Sequence, residues 1–343
     1  MTIVDSTFSI PHGTYVITGA TGFIGSLLTR FLINSQEYRS GCIELIGLIR
    51  NVQKASQIYQ NYDCSHLKFI TSDLLDLNAD QLRNRFGIEQ IDYIFHCAAN
   101  TRSKDMITYP IETANGIVIG TNHMLDIAKQ YSVTSMVYLS SMEVYGTVTN
   151  CSNRIEESTL GELDILSARS CYPLGKRMAE NLCYCYHKQH NVPVKIARLA
   201  QIFGPGVLPD ENRIFAQFAR CVMQGKDIVL HTKGDSVGNY VDSIDAVRGL
   251  FLLLTDGQNG EAYNIVNEEN TMTILEMAQL VATKIAKDKI HVCFDIPVNN
   301  EYGYAAKTEL RLSSKKIKKL GWVPQFGMVE MYHRIISQTP LTF

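Results

Sequence analysis

The sequence predicts a doubly wound α/β fold on a parallel sheet, followed by a smaller α/β part. Short apolar runs alternate with amphipathic helical stretches through the first 200 residues. A glycine-rich turn follows the first of those runs, and the texture changes after Phe203-Gly204-Pro205-Gly206. Strands separated by helices pair in parallel through right-handed crossovers. Runs that are apolar throughout fit a sheet covered on both faces.

The first strand is expected over 15–18. Thr18-Gly19-Ala20-Thr21-Gly22-Phe23-Ile24-Gly25 then reads as a tight turn opening a helix over 23–33. Phe23, Ile24, Leu27, Leu28, Phe31 and Leu32 form its apolar stripe. Glycines in such a turn let the backbone approach a pyrophosphate, and the helix N-terminus offers free N–H groups and partial positive charge. A loop that only needs positive φ is the plainer alternative; the strand before and the helix after favour a dinucleotide site. Further strands are expected at 43–48, 67–71, 93–96, 136–140 and 194–199, and helices at 79–86, 120–131 and 171–190. Beyond 203 the segments shorten, and polar insertions such as Pro209-Asp210-Glu211-Asn212-Arg213 appear. Thr273-Ile274-Leu275-Glu276 has capping-box spacing and should start a late helix. The division expected is a dinucleotide-binding part over 1–200, rejoined by about 236–255, and a mainly substrate-binding part over 201–343.

The 343 residues suffice for one large core or two modest ones. Lys and Arg (32) nearly balance Asp and Glu (34), which argues against a nucleic-acid surface. Lys315-Lys316-Ile317-Lys318-Lys319 reads as the solvated face of a short helix. The N-terminus shows no basic region before an apolar core, and Leu250 to Leu254 is too short to span a bilayer. Nine scattered cysteines without CxxC spacing point to reduced thiols and a cytoplasmic protein. Cys183 and Cys185 should face different directions on one helix. His187 and His190 share a face without a third ligand, so no metal site is expected.

Tyr172-Pro173-Leu174-Gly175-Lys176 puts a phenol and an ammonium one turn apart. A phenol of pKa about 10 is a poor base at neutral pH, and nearby positive charge favours the phenolate. Bringing it into the neutral range takes on the order of 4 kcal/mol, within reach of two cations in a partly dry site. Ser141, within Ser140-Ser141-Met142-Glu143-Val144-Tyr145-Gly146, is placed to hydrogen-bond a substrate hydroxyl or carbonyl while Tyr172 moves its proton. Ser141, Tyr172 and Lys176 together supply what hydride transfer at a secondary alcohol or ketone needs.

These residues, with Asp73-Leu74, His96-Cys97-Ala98-Ala99, Gly120-Thr121, Phe203-Gly204-Pro205 and Leu320-Gly321-Trp322-x-Pro324, resemble an extended short-chain dehydrogenase/reductase of the nucleotide-sugar epimerase/dehydratase group. The likeness runs over nearly the whole chain. It implies a Rossmann sheet, an NAD(P) cofactor and a nucleotide-sugar substrate. Gly19, Gly22, Phe23, Ile24 and Gly25 would then hold the pyrophosphate, Asp73 the adenine amino group, and Leu74, Ala98 and Ala99 the walls of the cofactor site. Tyr172 and Lys176 would reach the nicotinamide ribose. A homodimer through the helices at 120–131 and 171–190 is also implied.

Departures from the pattern sharpen the expectation. Where NAD-preferring relatives carry an acid for the ribose, this chain has Arg50-Asn51. Arginine suits a 2′-phosphate, so NADP(H) is favoured over NAD(H), unless Arg50 points to solvent. The acid/base pair of 4,6-dehydratases is replaced by Met142-Glu143, and a thioether cannot donate a proton. Glu143 is either a base or a structural acceptor. Decarboxylases share the Tyr-x-x-Gly-Lys-Arg opening, but their usual serine beside the glutamate is missing too. Gln201 replaces an asparagine, Gly238-Asn239-Tyr240 lacks a phosphate-binding arginine, and none stands at 300–304. Arg213 is the remaining candidate for the diphosphate, or else a surface residue at a helix start. An exchanging NADPH points to a reductase, with an NAD-retaining epimerase as the alternative. A non-catalytic cofactor-sensing subunit is a third reading, disfavoured by the intact Tyr172 and Lys176.

Overall fold

A computed structural model describes residues 10–148, 153–207, 211–297 and 309–337. In chain order its strands are β1 Gly13–Thr18, β2 Ile43–Ile49, β3 Leu67–Thr71, β4 Tyr93–His96, β5 Ser135–Ser141 and β6 Val194–Leu199. They continue as β7 Gln201–Phe203, β8 Ile228–Leu230, β9 Val237–Asp242, β10 Ala262–Ile265, β11 Asn267–Thr273 and β12 Val292–Phe294. The helices are α1 Phe23–Ile33, α2 Gln36–Arg39, α3 Val52–Tyr59, α4 Ala79–Asn84, α5 Ser103–Thr108 and α6 Pro110–Gln130. Then come α7 Cys171–His190, α8 Ile214–Gln224, α9 Ser243–Asp256, α10 Ile274–Leu280, α11 Lys315–Lys318 and α12 Met328–Ile336.

Seven strands form one parallel sheet in the order β10-β6-β5-β4-β1-β2-β3. The direction of winding reverses between β1 and β4, which leaves a crevice above their carboxyl ends. Leu27, Leu28, Phe31, Val247, Leu250 and Phe251 of α1 and α9 bury one face of this sheet. Leu82, Ile117, Met124, Leu125, Ala179 and Cys183 of α4, α6 and α7 bury the other. Covering on both faces explains why β2, apart from the exposed Glu44, and the middle of β5 are apolar on both sides.

The expected strands at 67–71, 93–96 and 194–199 and the helices at 23–33 and 171–190 coincide with the observed elements. Helix α6 differs. It starts at Pro110, not at 120, with proline in its first turn where no intrahelical N–H is needed. Helix α4 stops at Asn84, and α5 was not anticipated. After β6 the chain leaves the large sheet: β7, β9 and β11 form a three-stranded sheet and β8 pairs with β12. Phe203, Phe215, Phe218, Tyr240, Met277 and Met331 fill a third core beneath them. The chain returns through α9 and then β10, which extends the large sheet beside β6, so the return runs on past 255.

Thr273 caps α10 with Glu276 in a full capping box. The lysine cluster forms the short α11, but Lys316 is not merely solvated. Its Nζ lies 2.7 Å from Glu261 and 4.6 Å from the Tyr263 ring centre, tying α11 to β10. Cys183 is buried and Cys185 exposed on α7, and the eight described cysteines are free thiols. Among the described residues no helix is long and apolar enough to cross a membrane, and no His/Cys/Asp/Glu group could hold a metal.

Candidate active site

The crevice is built on the turn that follows β1. Gly19 has φ +64°, and its carbonyl accepts from Gly22 N at 2.8 Å, closing the turn. A Cβ at Gly25 would lie 2.3 Å from the Gly19 oxygen, and one at Gly19 3.1 Å from Ala98 Cα. Only glycine lets α1 start so close to the strand. Gly22 caps α1 with no side-chain acceptor, so the first-turn N–H groups of Phe23, Ile24 and Gly25 are offered to a ligand. The side chains of Phe23 and Ile24 are half-buried against the core. Thr18 Oγ1 accepts from Ala98 N at 2.9 Å and lies 2.8 Å from His96 Nδ1, while His96 Nε2 is 3.2 Å from Thr121 Oγ1. Burial, then the Lys176 charge, pushes His96 down to about 3, so it is a neutral strut.

The crevice measures about 350 Å³ and is lined by Gly19, Gly22, Arg50, Asn51, Asp73, Leu74, Ala98 and Ala99. That volume is in the range of small-molecule sites. The glycine cradle, free helix N–H groups and flanking Asp73 fit a dinucleotide. Asn51 is committed elsewhere, its Oδ1 accepting from Lys54 N at 2.8 Å to cap α3. Asp73 Oδ1 accepts from Leu75 N at 3.0 Å. Lys54, which the sequence reading passed over, joins Arg50 in the lining.

Ser141 ends β5, and Tyr172 and Lys176 stand on the first two turns of α7. Tyr172 is buried, and its pKa is pushed up to about 12 by burial and then by Glu143. A hydrogen bond with Ser141 and the charges of Arg169 and Arg213 pull it back only partly. In the protein alone the phenol is raised, so the lowering expected from Lys176 together with an oxidised nicotinamide has burial to outweigh. Lys176 Nζ donates to Leu139 O at 2.6 Å and stands 5.9 Å from the Tyr172 ring centre. Its pKa is itself lowered to about 8 by burial.

Glu143 is held by Arg169, whose Nη2 lies 2.8 and 3.1 Å from the two carboxylate oxygens. Arg169, on the turn just before α7, is a second site residue the sequence reading missed. Met142 packs against the sheet core as an apolar wall. Gln201 heads β7, opposite Tyr240 of β9, half-buried. Arg213 stands at the N-cap of α8 and pairs with Glu211 at 2.6 Å, and its charge is the smallest of the influences that lower the Tyr172 phenol. A Cβ at Gly238 would lie 2.2 Å from Tyr240 Oη, so no arginine fits there while Tyr240 is in place. The segment at 300–304 lies outside the described residues.

The model of the NAD dependent epimerase/dehydratase family matches residues 15–266, from β1 through the return to the large sheet. The chain belongs to that family. It is 29% identical over 255 residues to a dTDP-D-glucose 4,6-dehydratase of Dictyostelium discoideum, covering 73% of this chain and 57% of that protein. It is 28% identical to UDP-glucuronic acid decarboxylase 1 of Danio rerio, over 94% of this chain and 71% of the relative. The fold is similar to that of a UDP-glucose 4-epimerase of Thermotoga maritima solved with UDP-glucose. The TM-score is 0.78 at 20% identity, covering 95% of this chain and 98% of that one. The family is described as NAD dependent, and the relatives are named for nucleotide sugars. Arg169 and Lys54 carry no local pattern: each is a single long side chain whose role depends on where the chain brings it.

Proposed function

We propose that this chain moves a hydride between a nicotinamide cofactor and a secondary alcohol or ketone of a nucleotide-linked sugar, with Tyr172 as the acid/base. The observation that carries the reading is the buried Tyr172 phenol, within reach of Ser141 and one turn from Lys176, whose charge acts on Cys97 in the lining of the glycine-turn crevice. Ser141 orients the reacting oxygen and Tyr172 takes or gives its proton. Lys176 holds the cofactor ribose. The cofactor, when bound, supplies the hydride acceptor or donor. Because burial and Glu143 hold the phenol high, Tyr172 yields its proton only when further positive charge enters the site.

On this reading the part of the chain beyond β6, with Gln201 and Arg213, takes the nucleotide sugar, Arg213 meeting the diphosphate once it leaves Glu211. Relatives named as dehydratases, decarboxylases and epimerases support a cycle that returns the hydride to the sugar. Epimerisation needs Ser141, Tyr172 and Lys176, with the reduced cofactor retained and room for the keto sugar to present its other face. Met142 offers no proton for dehydration, and a Glu143 clamped by Arg169 serves better as a fixed acceptor than as a free base. A net reductase using exchanging NADPH is the second reading, supported by Arg50 and Lys54 in the crevice. Two copies would pair across α6 and α7, whose outer faces leave Ile111, Ile119, Met178 and Tyr184 exposed. The test is a screen of UDP- and dTDP-linked sugars with NAD(H) and with NADP(H), read by mass and NMR. A product of unchanged mass supports epimerisation, and one altered by two hydrogens supports the reductase. Absence of turnover and binding across the panel would refute the substrate class.

A further inference from the structure

Behind the candidate site lies a buried ionic network that the proposed chemistry does not itself use. Glu180 stands on α7 one turn beyond Lys176 and two beyond Tyr172. Its carboxylate accepts from Ser140 Oγ at 2.5 Å, at the end of β5 and next to Ser141. The Arg198 fork on β6 grips the same carboxylate, Nε at 3.0 and 3.2 Å and Nη2 at 2.7 Å. Both side chains of this pair are only 10% exposed. Arg198 goes on to Tyr145 Oη at 3.0 Å, and Tyr145 donates to Asn264 Oδ1 of β10 at 2.7 Å.

Resting on the site reading proposed above, we propose that Glu180 is a positioning residue. It fixes the Ser140–Ser141 end of β5 against α7 and supplies the negative charge that compensates the buried Lys176.

The groups around Lys176 leave that compensation to Glu180. On β4 and just after it, burial holds His96 neutral and pushes the Cys97 thiol up. Tyr138 on β5 and Cys183 on α7 are also pushed up by burial and stay uncharged near neutral pH. Tyr172 is held at about 12. Arg198, from β6, and Arg177, on α7, are positive. Among these groups only Glu180 is anionic. It is also the largest influence opposing the burial that brings Lys176 down to about 8. A glutamate serving Arg198 alone would stabilise the strand but leave the lysine's charge unaffected.

The two roles separate in the pH dependence of NADH binding to the full chain, followed by fluorescence titration from about pH 6 to about pH 9. Wild-type protein should lose affinity on the alkaline side with a midpoint near that of Lys176, and Lys176→Met should lack this limb. Glu180→Gln keeps the size and an acceptor for Ser140 but removes the charge. It should move the midpoint down by about one pH unit or more. Arg198→Gln leaves Glu180 uncompensated and should move the midpoint up. Opposite movements support the proposal, and either variant suffices if the other does not fold. Midpoints unmoved in a folded variant, with near-ultraviolet circular dichroism intact, would make Glu180 merely structural and overturn it. If wild type and Lys176→Met bind NADH alike at every pH, the cofactor role of Lys176 fails, and the proposal falls with it.

Discussion

Tyr172 meets opposing demands, since the burial that orients its phenol also keeps the proton on it. Tyr172→Phe keeps the ring's packing and removes the proton carrier. Turnover should fall by about a hundred- to ten-thousand-fold, with cofactor affinity nearly unchanged. Single-turnover rates beside cofactor titrations check this, and a variant keeping more than about a tenth of the rate would exclude Tyr172 as acid/base. Arg50 governs a separate choice. If its guanidinium meets a 2′-phosphate, wild type should bind NADPH more tightly than NADH by about ten- to a hundred-fold. Arg50→Asp should reverse that order, in paired titrations at one salt concentration. An unchanged ratio would mean that Lys54 or solvent, and not Arg50, sets the preference. At this scale the sequence was legible where function sits in a local pattern, as at Gly19, Gly22 and Tyr172 with Lys176. Arg169, Lys54 and Glu180 were not legible as site residues, because their partners come from other elements and the spacing along the chain is silent about them.

The turn between β1 and α1 works through the space that glycine leaves. Gly25→Ala would drive a methyl into the Gly19 carbonyl, at 2.3 Å, with backbone on both sides and no flexible side chain to yield. Such overpacking costs about 1–3 kcal/mol. The shift it forces on α1 moves the N–H groups away from the pyrophosphate. The expected outcome is a lower melting temperature together with a cofactor Kd raised about tenfold or more. A variant with native affinity would mean that the cofactor lies elsewhere in the crevice. Helix α1, with its full apolar stripe, could be read to the residue, and α7 kept its expected bounds although Lys176 and Glu180 interrupt its buried face. The first turns of α6 could not: Ile111 and Asn115 are exposed there, and Pro110 reads as a break unless it is known to sit at a helix start.

Across the whole molecule, the parallel, doubly wound character of the large sheet was legible from alternation and handedness, but its strand order was not. The small sheets resisted the same reasoning. β7, β8 and β12 are three residues each, and they pair with partners far along the chain. A buried carboxyl–guanidinium contact ties this second part together: Arg334 of α12 lies 3.0 Å from Asp242, which caps α9. Burial raises Asp242 to about 7 despite Arg334, from an ordinary value of 3.8. Between those values the native state keeps a proton that the unfolded chain releases, so this group makes stability fall as pH rises and has no further effect above about 7. Asp242→Asn should therefore gain melting temperature relative to wild type between about pH 4.5 and about pH 7.5. A relative loss would mean that Arg334 holds Asp242 ionised. Wild-type protein with stoichiometric NAD(H) or NADP(H) is mixed with each UDP- or dTDP-linked sugar, and the absorbance of the reduced nicotinamide is followed through a single turnover. Hydride transfer to or from the sugar should give a rise or fall, transient or lasting, that appears with at least one sugar and is lost in Tyr172→Phe. A nucleotide sugar that binds tightly yet is converted to product with no nicotinamide signal, at a rate Tyr172→Phe leaves intact, would contradict it.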